Sequence, residues 1–401
     1  MARKRASPGG LAGLFATKEM VVVCGSGGVG KTTVAAAMGA QCAVTMPGKV
    51  LVLTVDPARR LATALGIGAF GNAEVRVPDD AFAAAGVQPA GELWVAMLDT
   101  KAGWDELIRR HAPDPARRDA VMANSLYRNI TSRFVNSHDY IAMEKLHELH
   151  AAGRYDVIII DTPPSRNALD LLDAPSRMRE FFGGRLLRWL TVPARSKLFT
   201  VASKPFYQVA DRVLGSRFLQ DIAEFFVLFQ SMESGFVARA GEVERLLVDP
   251  RTAFVVVSTL EAAPAREAQF LADELRRRQM SLGALVLNRV LPAEIRRPTV
   301  AKAARLLADR ADDPALLADL LAVLPDPQGD AATRLGPVLR EVADRLRETV
   351  VVAARESERR EELSDIAPVI VSAPVLPGDI TDVAGLLHLG ALLFEPERRV
   401  R

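Results

Sequence analysis

Cysteine is nearly missing from this chain: Cys24 and Cys42 are the only two. Two thiols cannot build a disulfide framework, nor a four-cysteine zinc or iron–sulfur site within one chain. One closes an apolar run and the other falls in an Ala-rich stretch, so both are expected to be small buried hydrophobes. An excess of charge of one sign is missing too. Fifty-one basic residues face forty-nine acidic ones, for a net charge of +2, so composition makes no electrostatic case for nucleic acid. No apolar run reaches the about 18 residues that span a bilayer. Residues 383–394 form one of the longest runs and are too short. Residues 1–8 are basic but lack the apolar centre of a secretory signal. These absences lead to the expectation of a soluble, cytoplasmic protein, at most peripheral to a membrane.

What is present is apolar residue, 49% of the chain, enough for a large core. Gly25-Ser26-Gly27-Gly28-Val29-Gly30-Lys31-Thr32 is followed by Thr33. The pattern of Gly, four residues, Gly, Lys and Ser or Thr marks a phosphate-binding loop. Its context agrees, since residues 20–24 read as a short buried strand and 33–42 as an Ala-rich helix. The glycines let the backbone turn its N–H groups onto a phosphate, and the helix N-terminus adds partial positive charge there. Gly27, Gly28, Val29, Gly30, Lys31, Thr32 and Thr33 are therefore the expected phosphate contacts. Lys31 would reach the β- and γ-phosphates and the Thr32 hydroxyl would ligate Mg²⁺. The cofactors expected from the loop are a nucleoside triphosphate and Mg²⁺.

Further strands are expected at 49–55, 93–98, 155–160, 253–258, 284–288 and 368–372, alternating with helical stretches. That rhythm predicts an α/β fold, a P-loop NTPase with a doubly wound, mostly parallel sheet and an inserted helical subdomain. Residues 1–18 read as a flexible basic leader and 19–401 as a single domain, with helical insertions at 102–150, 176–248 and 296–364. No internal repeat or second phosphate loop is found. Residues 176–248 hold nine of the sixteen phenylalanines. Phe218, Ile222, Phe225, Phe226 and Phe229 follow helical spacing, which fits either an ordinary core or a groove for apolar partner segments. The charge run 355–362 reads as a solvated helix face, and 379–394 as a helix packed on the sheet.

Ligands should gather at the carboxyl ends of the strands, where two aspartates fall. Asp161 follows four apolar residues, a placement that suits a carboxylate holding Mg²⁺ directly or through water. Asp56 ends the strand after the loop helix, where a carboxylate could orient the attacking water; Asp-Pro is equally a plain turn starter.

With Asp56-Pro57-Ala58, Asp161-Thr162-Pro163-Pro164-Ser165 and Leu287-Asn288-Arg289 following the loop in order, the chain resembles arsenite-transport-type ATPases, the ArsA group. That group includes the ATPases that deliver tail-anchored membrane proteins, and the resemblance is nearest to its anion-transporting branch. The resemblance makes the nucleotide ATP. It implies that Asp56 polarises the water within a first switch, with Asp56 and Lys31 as the catalytic pair. It implies that Asp161 opens a second switch reporting the γ-phosphate. It also implies that Asn288, with Arg289 beside it, reads adenine under a loop of residues 374–377 that begins at Pro374.

The departures carry information. The group usually has a second lysine in the loop, reaching across a dimer, where this chain has Ser26. Arg59, Arg60 and Arg166 are candidate replacements, as is a partner chain, so a homodimer or a heterodimer with a paralogous ATPase subunit is expected. No paired cysteines are available for a zinc at the dimer interface, and no thiolate cluster for arsenite, so no zinc is expected and arsenite pumping is disfavoured. The leading expectation is an Mg-dependent ATPase whose dimer opens and closes on a hydrophobic helix client or membrane protein. The alternatives are a nucleotide-gated scaffold with weak hydrolysis, and an ATPase that positions septa or plasmids.

Overall fold

The computed structural model describes residues 9–55, 59–67, 72–124, 127, 137–163, 172–174, 176–177, 180, 233–323 and 331–395. In chain order, Leu11–Phe15 (α1) leads into Met20–Gly25 (β1), Lys31–Thr45 (α2), Lys49–Thr54 (β2) and Arg59–Ala64 (α3). Val75–Arg76 (β3), Asp79–Ala84 (α4), Glu92–Met97 (β4), Thr100–His111 (α5), Pro115–Ala123 (α6) and Ser137–Ala151 (α7) follow. Val157–Asp161 (β5) is separated by a long insertion from Glu233–Leu247 (α8), Thr252–Ser258 (β6), Ala262–Arg277 (α9) and Leu282–Val290 (β7). A helical arm of Pro298–Asp309 (α10), Pro314–Val323 (α11) and Ala331–Glu362 (α12) precedes Ile370–Pro374 (β8) and Val383–Phe394 (α13).

The strands form one sheet in the order β3-β4-β2-β5-β1-β6-β7-β8. Every neighbouring pair is parallel except β3 with β4. The fold is thus α/β and doubly wound. Runs such as Val157-Ile158-Ile159-Ile160 are apolar at every position because helices cover both faces. Met20, Val22 and Cys24 enter a core with α5, α7, α8 and α9. Val21 and Val23, one residue out of phase, enter a second core with α1, α2 and α13. β1 lies between β5 and β6, so the loop at its carboxyl end sits where the winding reverses, the usual ligand position in such sheets.

The leader expectation needs correction over its second half. Residues 11–15 form a helix whose Leu11 and Phe15 are fully buried, and Phe15 stacks on Phe394 with ring centroids 5.5 Å apart. Apolar residues four apart won over the local glycines. Residues 1–8 lie outside the described residues, as does most of the insertion 176–248, including Phe218, Phe225, Phe226 and Phe229. The two-residue edge strand β3 was not anticipated, being too short to carry a periodicity.

Both cysteines are buried, as their surroundings suggested. Burial pushes the Cys24 thiol up to about 12 and Cys42 further in the same direction, so neither is a thiolate at neutral pH.

Helix α13 holds the phosphate-loop helix in place by close approach. A Cβ on Gly390 would stand 2.7 Å from the Ala37 carbonyl oxygen and 2.8 Å from Gln41 Cβ. Gly390→Ala is expected to cost about 1–3 kcal/mol by overpacking. The check is a denaturant midpoint that falls with an unchanged m-value.

Candidate active site

The phosphate loop joins β1 to α2. Gly30 caps α2 with φ of 92°, and a Cβ there would lie 2.5 Å from Asn288 Nδ2. A left-handed angle and a close neighbour together require glycine at that position. Lys31, 7% exposed, bends back so that its Nζ donates to the Ser26 carbonyl at 3.0 Å. The Ser26 hydroxyl is buried with no hydrogen-bond partner among the described residues, a donor that a phosphate oxygen would satisfy. The first N–H groups of α2 open onto the same hollow.

Asp161 closes the floor and is fully buried at the end of β5. Parallel pairing sets it level with Val23 of β1 and Thr54 of β2. Its Oδ2 accepts from the Thr32 hydroxyl at 2.6 Å and from the Thr54 hydroxyl at 3.0 Å. A carboxylate beside a loop threonine supplies hard oxygen donors, the chemistry Mg²⁺ selects, so the residues fit that ion. Thr162 turns the other way, its hydroxyl donating to the Val23 carbonyl at 2.9 Å.

The opposite wall comes from β7. Asn288 Nδ2 donates to the Val29 carbonyl at 2.8 Å, and its Oδ1 accepts the Arg289 N–H at 3.0 Å. Arg289 has φ of 56°, and its Nη1 donates to the Gly28 carbonyl at 3.2 Å. Positive φ is uncommon for a residue with a Cβ. A cavity of about 990 Å³ runs from Gly28, Gly30, Lys31, Thr32 and Thr33 past Asn288 and Arg289 to residues 374–381. That is the upper end of the usual range for small-molecule sites.

The model of the anion-transporting ATPases (ArsA) matches residues 18–310. The chain belongs to that family. The ArsA-type chain is an ATP-hydrolysing P-loop enzyme, and no helix among its described residues is long and apolar enough to cross a membrane. It is 24% identical over 278 residues to an ATPase ASNA1 homolog of Entamoeba dispar, covering 69% of this chain and 77% of that one. It is 26% identical over 282 residues to ATPase GET3 of Ajellomyces dermatitidis, covering 69% and 74%. An uncharacterised protein of Streptomyces coelicolor is 29% identical over 279 residues, covering 68% of this chain and 63% of that protein.

Within this ArsA-type site, Gly28, Gly30, Lys31, Thr32, Thr33, Asn288, Arg289 and Pro374 all line one cavity, and Asp161 touches Thr32. Gly27 and Val29 belong to the same loop. Asp56 and Arg166 lie outside the described residues, and Arg59 and Arg60 are described only as backbone of α3. Asn288 stands against the phosphate loop, its Nδ2 on the Val29 carbonyl and its Oδ1 on the Arg289 N–H of its own strand. Sequence reasoning missed Thr54, whose only signal is a hydroxyl at a strand end two residues before Asp56. It also missed Thr63 and residues 378–381 of the cavity wall. The charge run 355–362 is not simply a solvated face: Glu356 accepts the Leu291 N–H at 3.0 Å, and Arg359 donates to the Leu260 carbonyl at 2.8 Å.

Proposed function

We propose that this ATPase is Mg-dependent and couples ATP binding and hydrolysis to opening and closing of a dimer that handles a hydrophobic client or membrane partner. The observation that carries the reading is the Thr32–Asp161–Thr54 cluster. It joins the phosphate loop to the strand end from which the chain enters the insertion between β5 and β6. A change in the groups around Asp161 acts at the root of that insertion.

The insertion has firm attachments that would pass such a change on. Arg278 grips Asp173 with two bonds, at 2.5 and 3.3 Å. On the returning helix α8, Arg239 pairs with the buried Glu144 of α7, whose second oxygen accepts the Tyr140 hydroxyl at 3.0 Å. Burial raises the Glu144 carboxyl, and the Arg239 charge opposes that shift. Breaking such a buried pair on one side is costly, so these contacts behave as fixed joints.

Within this reading, Thr32 and Asp161 hold Mg²⁺, which when bound neutralises charge building on the transferred phosphoryl group. Lys31 and the α2 N–H groups hold the phosphates. Asp56 orients the water, and Asn288, Arg289 and Pro374 face the base end of the cavity. Ser26 leaves the loop one cation short, so the partner subunit, identical or paralogous, or one of Arg59, Arg60 and Arg166 supplies it.

Two measurements test the halves separately. The wild type and Ser26→Lys are expected to have the mass of a dimer in ATP and in ADP, with a smaller Stokes radius in ATP; a monomer's mass in both states, or an unchanged radius, removes the opening and closing dimer. Co-purification with a single transmembrane helix is expected in one nucleotide state and not the other. It should be lost in Phe225→Asp at an unchanged melting temperature. No retention in either state removes the client.

A further inference from the structure

We propose that Glu356 is a positioning residue for ATP hydrolysis, holding the phosphate loop in its nucleotide-binding shape through the end of β7. The inference rests on the ATPase activity of the chain and concerns a helix beyond the family match, which ends at residue 310.

Helix α12 runs for 32 residues, about 48 Å at 1.5 Å per residue. Its last third crosses the carboxyl edge of the sheet. There Arg359 holds the turn after β6 through the Leu260 carbonyl, and Glu356 Oε2 accepts the Leu291 N–H at 3.0 Å. Leu291 is partly buried and precedes Pro292, which has no N–H of its own.

The four residues 288–291 form a junction with anchors on three sides. Asn288 and Arg289 donate to the carbonyls of Val29 and Gly28 in the phosphate loop. The Val290 carbonyl accepts the Val375 N–H at 3.1 Å, tying in the loop that closes the cavity. Leu291 is tied to Glu356. Between the first and last anchors lies the left-handed Arg289, at φ of 56°. That angle costs an L-residue roughly 1–2 kcal/mol and persists only where the surroundings over-determine it. Releasing Leu291 lets the backbone at Arg289 return to an ordinary angle. The Asn288 amide and the Arg289 guanidinium then swing off the loop carbonyls. The loop loses the clamp before nucleotide arrives, so affinity falls while the bound geometry, once formed, reacts as before.

The test compares two substitutions in the full chain. Glu356→Gln keeps an oxygen acceptor at the same reach without charge; Glu356→Asp keeps the charge and withdraws the oxygen by one methylene. Glu356→Asp is expected to raise KM for ATP about tenfold, the worth of one hydrogen bond whether or not its acceptor is charged, with kcat within about twofold of wild type. Glu356→Gln is expected to stay near wild type in both. Arg340→Met, which removes a surface contact to Asp312 on the outer part of α12, is the control for loosening of the arm, and its KM should not move. Combined with Asn288→Ala, Glu356→Asp should add less than its own factor, because both act through one clamp.

A wild-type KM in Glu356→Asp overturns the proposal. So does an equal rise in Glu356→Gln, or the same rise in Arg340→Met. Calorimetric titration with ATP makes the same comparison independently of turnover, so a wild type that binds ATP without hydrolysing it would refute the activity and still decide the role of Glu356.

Discussion

Lys31→Ala is expected to abolish ATP turnover, by on the order of a thousandfold or more, the scale seen when a single cation is taken from a γ-phosphate. It is also expected to leave the nucleotide-free protein as stable as before. Lys31 is 7% exposed, in the first turn of α2, where the helix carries partial positive charge. A cation there is repelled by the dipole, at roughly 0.3–1 kcal/mol, and its bond to the Ser26 carbonyl compensates. Removing it therefore takes away little folding energy. With ATP present the two proteins should diverge. Saturating nucleotide stabilises the wild type by about 2.7 kcal/mol at a hundredfold excess over Kd, and the variant should show almost none of that rise. Turnover within about tenfold of wild type would remove Lys31 from the phosphate site.

Asp56→Asn should separate rate from binding. The residues before it are placed by Asp161: the Thr54 hydroxyl donates to its Oδ2 at 3.0 Å, and the Val55 N–H to its backbone carbonyl at 3.1 Å. β2 thus ends beside Thr32 and Asp161, and the proposed role sets Asp56, two residues after Thr54, to orient the attacking water. Asparagine matches aspartate in size and loses the negative charge that would orient or deprotonate water. The expected result is a kcat lower by about 10²–10⁴-fold, the usual contribution of a general base, with ATP affinity unchanged. Normal hydrolysis by Asp56→Asn, measured beside Lys31→Ala, would mean that the water is oriented by another group.

The parts of the site that could be read in advance are those made by consecutive residues. A phosphate loop is eight neighbours whose own backbone binds the ligand, so its spacing in sequence is its geometry. Strands such as β5 and β6 show themselves because burial on both faces leaves an unbroken apolar run. Thr54 was not legible, since its role exists only once β2 lies level with β5. Glu356 was hidden for a different reason. In a run of alternating charges, a residue facing water and one capping a backbone N–H of a distant strand look the same. Phe15, within the stretch read as a leader, was misjudged because its stacking partner, Phe394, lies 379 positions away in the sequence.

By itself the sequence determined the chemistry: a nucleotide-binding loop, two strand-end carboxylates in family order, and a parallel α/β sheet to carry them. Tertiary structure decided which groups meet. Parallel register brought Thr32, Thr54 and Asp161 onto one oxygen atom, and β7 set Asn288 and Arg289 against the loop. The docking of α12 then connected a helix beyond residue 310 to the same junction. The physical reason is range. Propensity, burial pattern and loop chemistry act between neighbours and are written locally, whereas a hydrogen bond between residues 65 positions apart, such as Leu291 to Glu356, depends on the packing of everything between them.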